Sequence, residues 1–207
     1  AYLPDSNLHT SGTFNASLRG RPNALSVEAT AQLDSRSYGE IKLASLTLFA
    51  NGQITVTDTL FDARVVAHQI QSADMQIDSL TAAAKGNPDS VNLTANLAAR
   101  ELNSQIDAEI FPGELLKIDL NNWKIDFRNQ TWTLQQPPAT IGIDAQNYAI
   151  ENFKMLANYT EQDQFISAHG VISRQNEQNF NLEINGLNLE SLMQLLEQEQ
   201  AVSGLVN

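Results

Sequence analysis

Cysteine is absent from this chain of 207 residues, which excludes thiol catalysis, disulfide scaffolds and cysteine-based metal sites. A cysteine-free composition is also permissive of an oxidising compartment. No apolar run approaches the ~18 residues that a membrane-spanning helix needs. Positive charge is scarce: 12 Lys and Arg stand against 24 Asp and Glu, for a formal net charge of −12. No basic cluster occurs anywhere, so phosphate backbones find no electrostatic footprint, and the sequence argues against a nucleic-acid partner. Docking onto anionic lipid head groups by charge is disfavoured for the same reason. Only 17% of residues are charged, yet 42% are hydrophobic, a balance that suits a folded chain rather than a disordered one. Uncharged Asn, Gln, Ser and Thr fill the place of charge. There is no initiator Met and no signal peptide. The chain opens on AYLPDS and stops at GLVN in mid-pattern, so it reads as a segment of a longer protein.

Constellations that carry chemistry are equally few. His9, His68 and His169 are far apart and none sits in a ligand pair. Asp58 with Asp62, and Asp119 with Asp126, are candidate carboxylate pairs, but they fall in turns or on the outward half of the pattern, where acids are ordinary. No nucleophile elbow, phosphate loop or dinucleotide fingerprint is present. The expectation is a protein that is not an enzyme, with no catalytic residues, no metal and no cofactor. Glycosylation sequons at Asn15, Asn92, Asn129 and Asn158 are what an Asn-rich chain yields by chance. Trp123 and Trp132 could stack on sugars, but such residues more often cap a core.

What the chain has in abundance is alternation. Leu25, Val27, Ala29, Ala31 and Leu33 are spaced two apart, as are Val91, Leu93, Ala95 and Leu97. Apolar residues at every second position give a strand one greasy face. Parity then flips, with Leu102, Ser104, Ile106, Ala108 and Ile110 continuing on even numbers. A two-residue hairpin at Arg100–Glu101 or a bulge in one long strand explains the flip equally in geometry, and the hairpin is slightly favoured. Asn51–Gly52 reads as a hairpin turn, and Lys85–Asp89 as a loop. Further on, Leu116, Ile118 and Leu120 give way to Trp123, Ile125 and Phe127, with turn candidates at Asn121–Asn122 and Arg128–Gln130. Pro137–Pro138 marks a strand break or an edge. The one helical pattern is Leu189, Leu192, Met193, Leu195 and Leu196, with Asn188 as cap, which predicts a short helix over Leu189–Gln198. No composition shift divides the chain, so residues 1–207 read as one β-rich segment.

The apolar face poses the functional question. Two sheets could cover each other as a sandwich. Alternatively the sheet curls into an open trough whose lining is a binding surface. The generic prior leans to the sandwich. The monotony of the alternation and the small residues on the apolar parity (Ala29, Ala31, Ala95, Ser104, Ala108) lean to the trough.

The order of several motifs carries a resemblance: VNLTANLAARELNSQIDAEI, then WKIDFRNQTWTLQQPPATIGI, then YAIENFKM, DQFISAHGVIS, FNLEINGLNLESLMQLL and VSGLVN. Over about two thirds of its length the chain resembles the TamB/AsmA-like family of bacterial envelope proteins. The resemblance implies an elongated, antiparallel, curled sheet, a β-taco-like groove, with the short C-terminal helix at one end. It implies a periplasmic protein whose parent is anchored in the inner membrane, engaged in outer membrane biogenesis as part of a translocation and assembly module. The implied function is carriage of phospholipid acyl chains between the inner and outer membranes. The implied partners are phospholipid and an outer-membrane barrel protein reached through regions outside this segment. The residues expected to line the groove are Val91, Leu93, Ala95, Leu97, Ile106, Ile110, Leu116, Ile118, Ile125, Phe127, Ile141, Ile143, Phe165, Phe180, Leu182 and Ile184. Two other readings stand beside it: chaperone-like assembly of outer-membrane proteins by β-augmentation at a sheet edge, and a carbohydrate-binding β-sandwich.

Overall fold

The structure, a computed structural model, describes residues 11–21, 23–38, 41–72, 75–128, 130–158, 164–175, 178–188 and 205–206. The chain divides into two units, Ala1–Gln105 and Ile106–Asn207. The first unit holds β1 (Ser11–Arg21), β2 (Ala24–Tyr38), β3 (Ile41–Thr55), β4 (Thr59–Ser72), β5 (Met75–Gly86) and β6 (Val91–Ala99), each antiparallel to the next. The division falls inside β7 (Leu102–Phe111). The second unit holds β8 (Leu116–Phe127), β9 (Gln130–Leu134), β10 (Ala139–Ile143), β11 (Asn147–Ala157), β12 (Gln164–Ser173) and β13 (Asn179–Asn185). Beyond them, β14 (Leu187–Asn188) pairs with β15 (Leu205–Val206).

The fold class is all-β and antiparallel, with no helix among the described residues. This corrects the expectation of an all-β fold with a C-terminal helix. The segment Leu189–Gln198 lies outside the described residues, and Asn188, taken as its cap, stands in a strand opposite Leu205.

Turns close where the ladders end. Between β3 and β4 the turn lies at 55–58, where the Thr55 hydroxyl accepts from the Asp58 amide at 2.9 Å. Asn51–Gly52, expected to turn, instead lies within β3 opposite Asp62 and Phe61. An Asn-Gly pair permits a primed turn but does not compel one, and a longer apolar ladder outweighs it. Asn87 closes the β5–β6 loop, its Oδ1 accepting from the amides of Asp89 and Ser90, each at 2.9 Å. The β6–β7 connection is the hairpin at Arg100–Glu101.

In the second unit the competing turn at Arg128 prevails: Phe127 pairs with Gln130, and Arg128 adopts φ +53°. Asn121–Asn122 therefore sits inside one continuous strand. β9 and β10 share a single lane between β8 and β11, interrupted where Pro137–Pro138, joined by a cis peptide bond, cannot ladder. β8 pairs β10 as far as Leu120 and pairs β9 from Lys124 onward. β11 shifts register between Ile150 and Phe153, with Asn152 at φ +56°. Three irregularities thus line up across the sheet. In β11 the shift inserts one extra residue, as a bulge does, and across the line apolar side chains return to the same face after a change of parity. Leu120 and Ile118 before the line consequently pack with Trp123 and Ile125 after it.

The first unit has a similar line. Its ladder skips Ser35 against Ala44 and Ala44 against Gln69, Gln69 has φ +51°, and β5 shifts register between Ile77 and Ser79. That is where Ile41 and Leu43 give way to Leu46 and Leu48, the parity change visible in the sequence.

Gly170 marks one backbone demand. Its φ is +114°, and a Cβ there would lie 2.0 Å from the Asn179 carbonyl oxygen. Gly170→Ala should cost about 2 kcal/mol or more, from strain alone, in chemical denaturation. A cost near zero would mean that β12 does not hold this conformation in solution.

Candidate functional site

Antiparallel partners directly opposite each other share a face, so the register assigns every side chain to a side. In the first unit one face is built of cross-strand rows. Leu46 lies opposite Leu33 and Ala67, which lies opposite Leu80, which lies opposite Leu97. A second row runs Phe14, Ala31, Leu48, Val65, Ala82, Ala95. Between that row and one containing Leu18, Val27, Phe61 and Val91 runs a third: Ala16, Ala29, Ala50, Ala63, Ala84, ending on Leu93. Five consecutive strands present a single methyl in line, flanked by mixed rows in which Phe, Leu and Val alternate with Ala or Gly. On the opposite side lie Asn92, Thr94 and Asn96, all exposed.

This apolar face is not packed as a core. Among the described hydrophobic residues of the unit, Ala67 alone is buried, at 3% exposure, while Phe14 stands 71% and Leu48 37% exposed. All six strands belong to one ladder, and among the described residues of the unit no second sheet lies over it. Val91, Leu93, Ala95 and Leu97, expected to line a groove, all lie on this face and are half-buried. Ala50, Ala63, Leu48 and Val65 share this face though they stand outside the expected set.

The second unit's apolar face is different. Leu116 and Ile118 lie opposite Ile143 and Ile141, and Phe180, Leu182 and Ile184 lie opposite Gly170, Ala168 and Ile166 on the same side. Ile125 faces Trp132, Phe127 faces Gln130, and Ile106 packs against the buried cluster. Ile110 is half-buried on the parity of Ala108. Phe165 is the exception. It lies opposite Leu156 and Asn185, on the polar side, with the Lys154 ammonium 4.3 Å from its ring centre. Unlike the first face, this one covers itself: Ala108, Leu120, Trp132, Leu134, Ala139, Met155 and Ala157 are buried in one cluster. Trp132 is 8% exposed, so its ring face is not free to stack on a sugar. Trp123 meets Phe153 with ring centres 5.9 Å apart at 57°.

The polar side of the second unit absorbs the candidate carboxylates. β8 repeats a motif, Lys117-Ile118-Asp119 and Lys124-Ile125-Asp126, on either side of its irregularity. Each Asp is 2.8 Å from its Lys and accepts from a cross-strand threonine at 2.7 Å, Thr140 for Asp119 and Thr131 for Asp126. Burial pushes the Asp119 carboxyl up, but hydrogen bonds from Lys117 and Thr140 and the Lys117 charge outweigh it and hold the group below 3.8. Hydrogen bonds from Lys124 and then Thr131 hold Asp126 below 3.8 as well. Asp144 is lowered chiefly by the Gln146 amide, then by Asn147. Asp119 and Asp126 are thus each engaged by a lysine and a threonine on the polar side. His68 and His169 are exposed, and His9 lies outside the described residues. Among the described residues no group of three His, Cys, Asp or Glu could hold a metal ion.

An antiparallel sheet with a polar side and an apolar side defines a class: an all-β protein built on one-sided sheet faces. The particular family follows from the sequence. The chain belongs to the TamB family of bacterial envelope proteins, whose profile for the TamB N-terminal domain matches residues 4–207, the first unit as fully as the second. No curated protein and no solved structure matches the chain significantly.

Two outcomes are expected. Met155→Ala, in the self-covering cluster, should cost about 2–5 kcal/mol in denaturant unfolding, whereas Leu48→Ala should cost about 1 kcal/mol or less, since it leaves no closed cavity. Equal costs would show that the first face is covered in solution. Because the folded carboxyls of Asp119, Asp126 and Asp144 titrate below their unfolded values, their stabilisation is present above 3.8 and lost as pH falls through the depressed values. Acid titration of the thermal midpoint should therefore fall below pH 3.8, and less steeply for Asp119→Asn.

Proposed function

We propose that this chain is a periplasmic segment of an inner-membrane-anchored envelope protein, and that its apolar face carries phospholipid acyl chains between the two membranes. The observation that carries the reading is the first unit's uncovered face with its row of alanines. Apolar surface of this extent in a folded protein marks a binding surface. A hydrocarbon tail costs about 0.8 kcal/mol per CH₂ to keep in water, and a greasy sheet face removes most of that cost while leaving a head group wet. Strands stand about 4.8 Å apart, so a tail lying across them along the alanine row meets one methyl at each step, with larger Phe, Leu and Val side chains on some of the flanking strands. Transfer of this kind needs no catalytic group and no metal. The net charge of −12 gives head groups no cationic trap, which suits passage rather than capture.

Photo-crosslinkers at Ala95 and Leu48 should capture phospholipid, and the same probes at Asn92 and Thr94 should not. Ala63→Phe should fill the row and reduce capture at Ala95 while leaving the β-sheet circular dichroism intact. Equal labelling of both sides would overturn the proposal. Capture of protein strands along β1 with no lipid would instead favour strand addition at the sheet edge.

A further inference from the structure

Resting on the acyl-chain reading above, we infer that Trp132, with Met155, Leu134 and the Trp123–Phe153 pair, forms a bottleneck in the apolar face of the second unit. A chain held on this face must unseat these side chains, so they set how far lipid occupies it. Three independent features support this. The first is burial: the cluster holds every buried large hydrophobic side chain among the described residues, whereas the first unit buries only an alanine. Its members lie on neighbouring strands of one face, Trp132 opposite Ile125 and Ala157, and Leu134 opposite Met155. They bury one another and occupy the surface a tail would need. The second is placement. The cluster straddles the line where β8, the β9–β10 lane and β11 all depart from regular pairing, and bulges re-aim side chains at such lines. The third is polarity. Next to Trp132 on the same face stand Gln130 and Gln164, with the Gln130 Nε2 3.5 Å from the Gln164 Oε1, and Gln164 is buried. An amide pair with one member buried and the other half-buried offers nothing to hydrocarbon, and the half-buried amide loses its remaining solvation if a tail covers it.

The experiment uses the full chain with vesicles of phosphatidylethanolamine carrying a radiolabelled acyl chain. Photo-crosslinkers are placed at Ala95 in the first unit and at Ile125 in the second, in the parent protein and in Trp132→Leu and Trp132→Ala. The expected result is strong labelling at Ala95 and weak labelling at Ile125 in the parent. Labelling at Ile125 should rise several-fold in either variant, with Ala95 unchanged. The ratio of the two sites is read within one fold, so a purely structural role for Trp132 would lower both together. Trp132→Leu keeps the apolar contact should the alanine variant unfold. Equal labelling of both sites in the parent, or an unchanged ratio in both variants, overturns the bottleneck. Absence of lipid at Ala95 in the parent overturns the acyl-chain reading itself.

Discussion

Hydrogen-bonded ladders force side chains to alternate between two sides, and a sheet with one greasy side persists only if every strand stays in phase with its neighbours. One slipped residue turns a whole strand inside out. Everything else in this molecule follows from how phase is kept. Where apolar parity holds for a whole strand, as from Val91 to Leu97, regular pairing suffices. Where parity changes within a strand, the backbone supplies an irregularity at the same level in the adjoining strands. Lys117-Ile118-Asp119 and Lys124-Ile125-Asp126 lie an odd number of positions apart, and a regular strand would send them to opposite sides. Both nevertheless salt-bridge beside a cross-strand threonine, because β8 departs from regular alternation between Leu120 and Lys124, where its partner changes from β10 to β9.

The same rule yields two kinds of apolar surface. In the first unit, alanine predominates in the middle rows, so neighbours are too small to shield one another and large residues such as Phe14 stay exposed. In the second, Trp, Met, Leu and Phe reach across to adjacent strands and bury each other without a second layer. Side-chain volume, rather than hydrophobicity, separates the two. Alanine and tryptophan both obey the alternation, but only the latter can close over its own sheet.

Much of this was legible in the sequence, and what was hidden has a common cause. Alternation placed Val91, Leu93, Ala95 and Leu97 on one side, and Arg100–Glu101 was correctly favoured as a hairpin despite its poor chemistry for a primed turn. Period-two patterns are local, so they survive without tertiary knowledge. Turn dipeptides misled: Asn51–Gly52 and Asn121–Asn122 both lie within strands, because pairing on both flanks outweighs a two-residue preference. Phe165 was placed by its hydrophobicity, but its neighbours Ile166 and Ala168 own the apolar parity of β12. The alanine row was invisible for a different reason. Its members are far apart along the chain, and only cross-strand register assembles them.

That row has a mechanical meaning. Resistance to sliding depends on how much the floor's height and stickiness vary from rung to rung, not on the total adhesion. Five identical methyl rungs in succession make a surface with almost no corrugation, so a hydrocarbon resting there would be firmly wetted yet nearly frictionless.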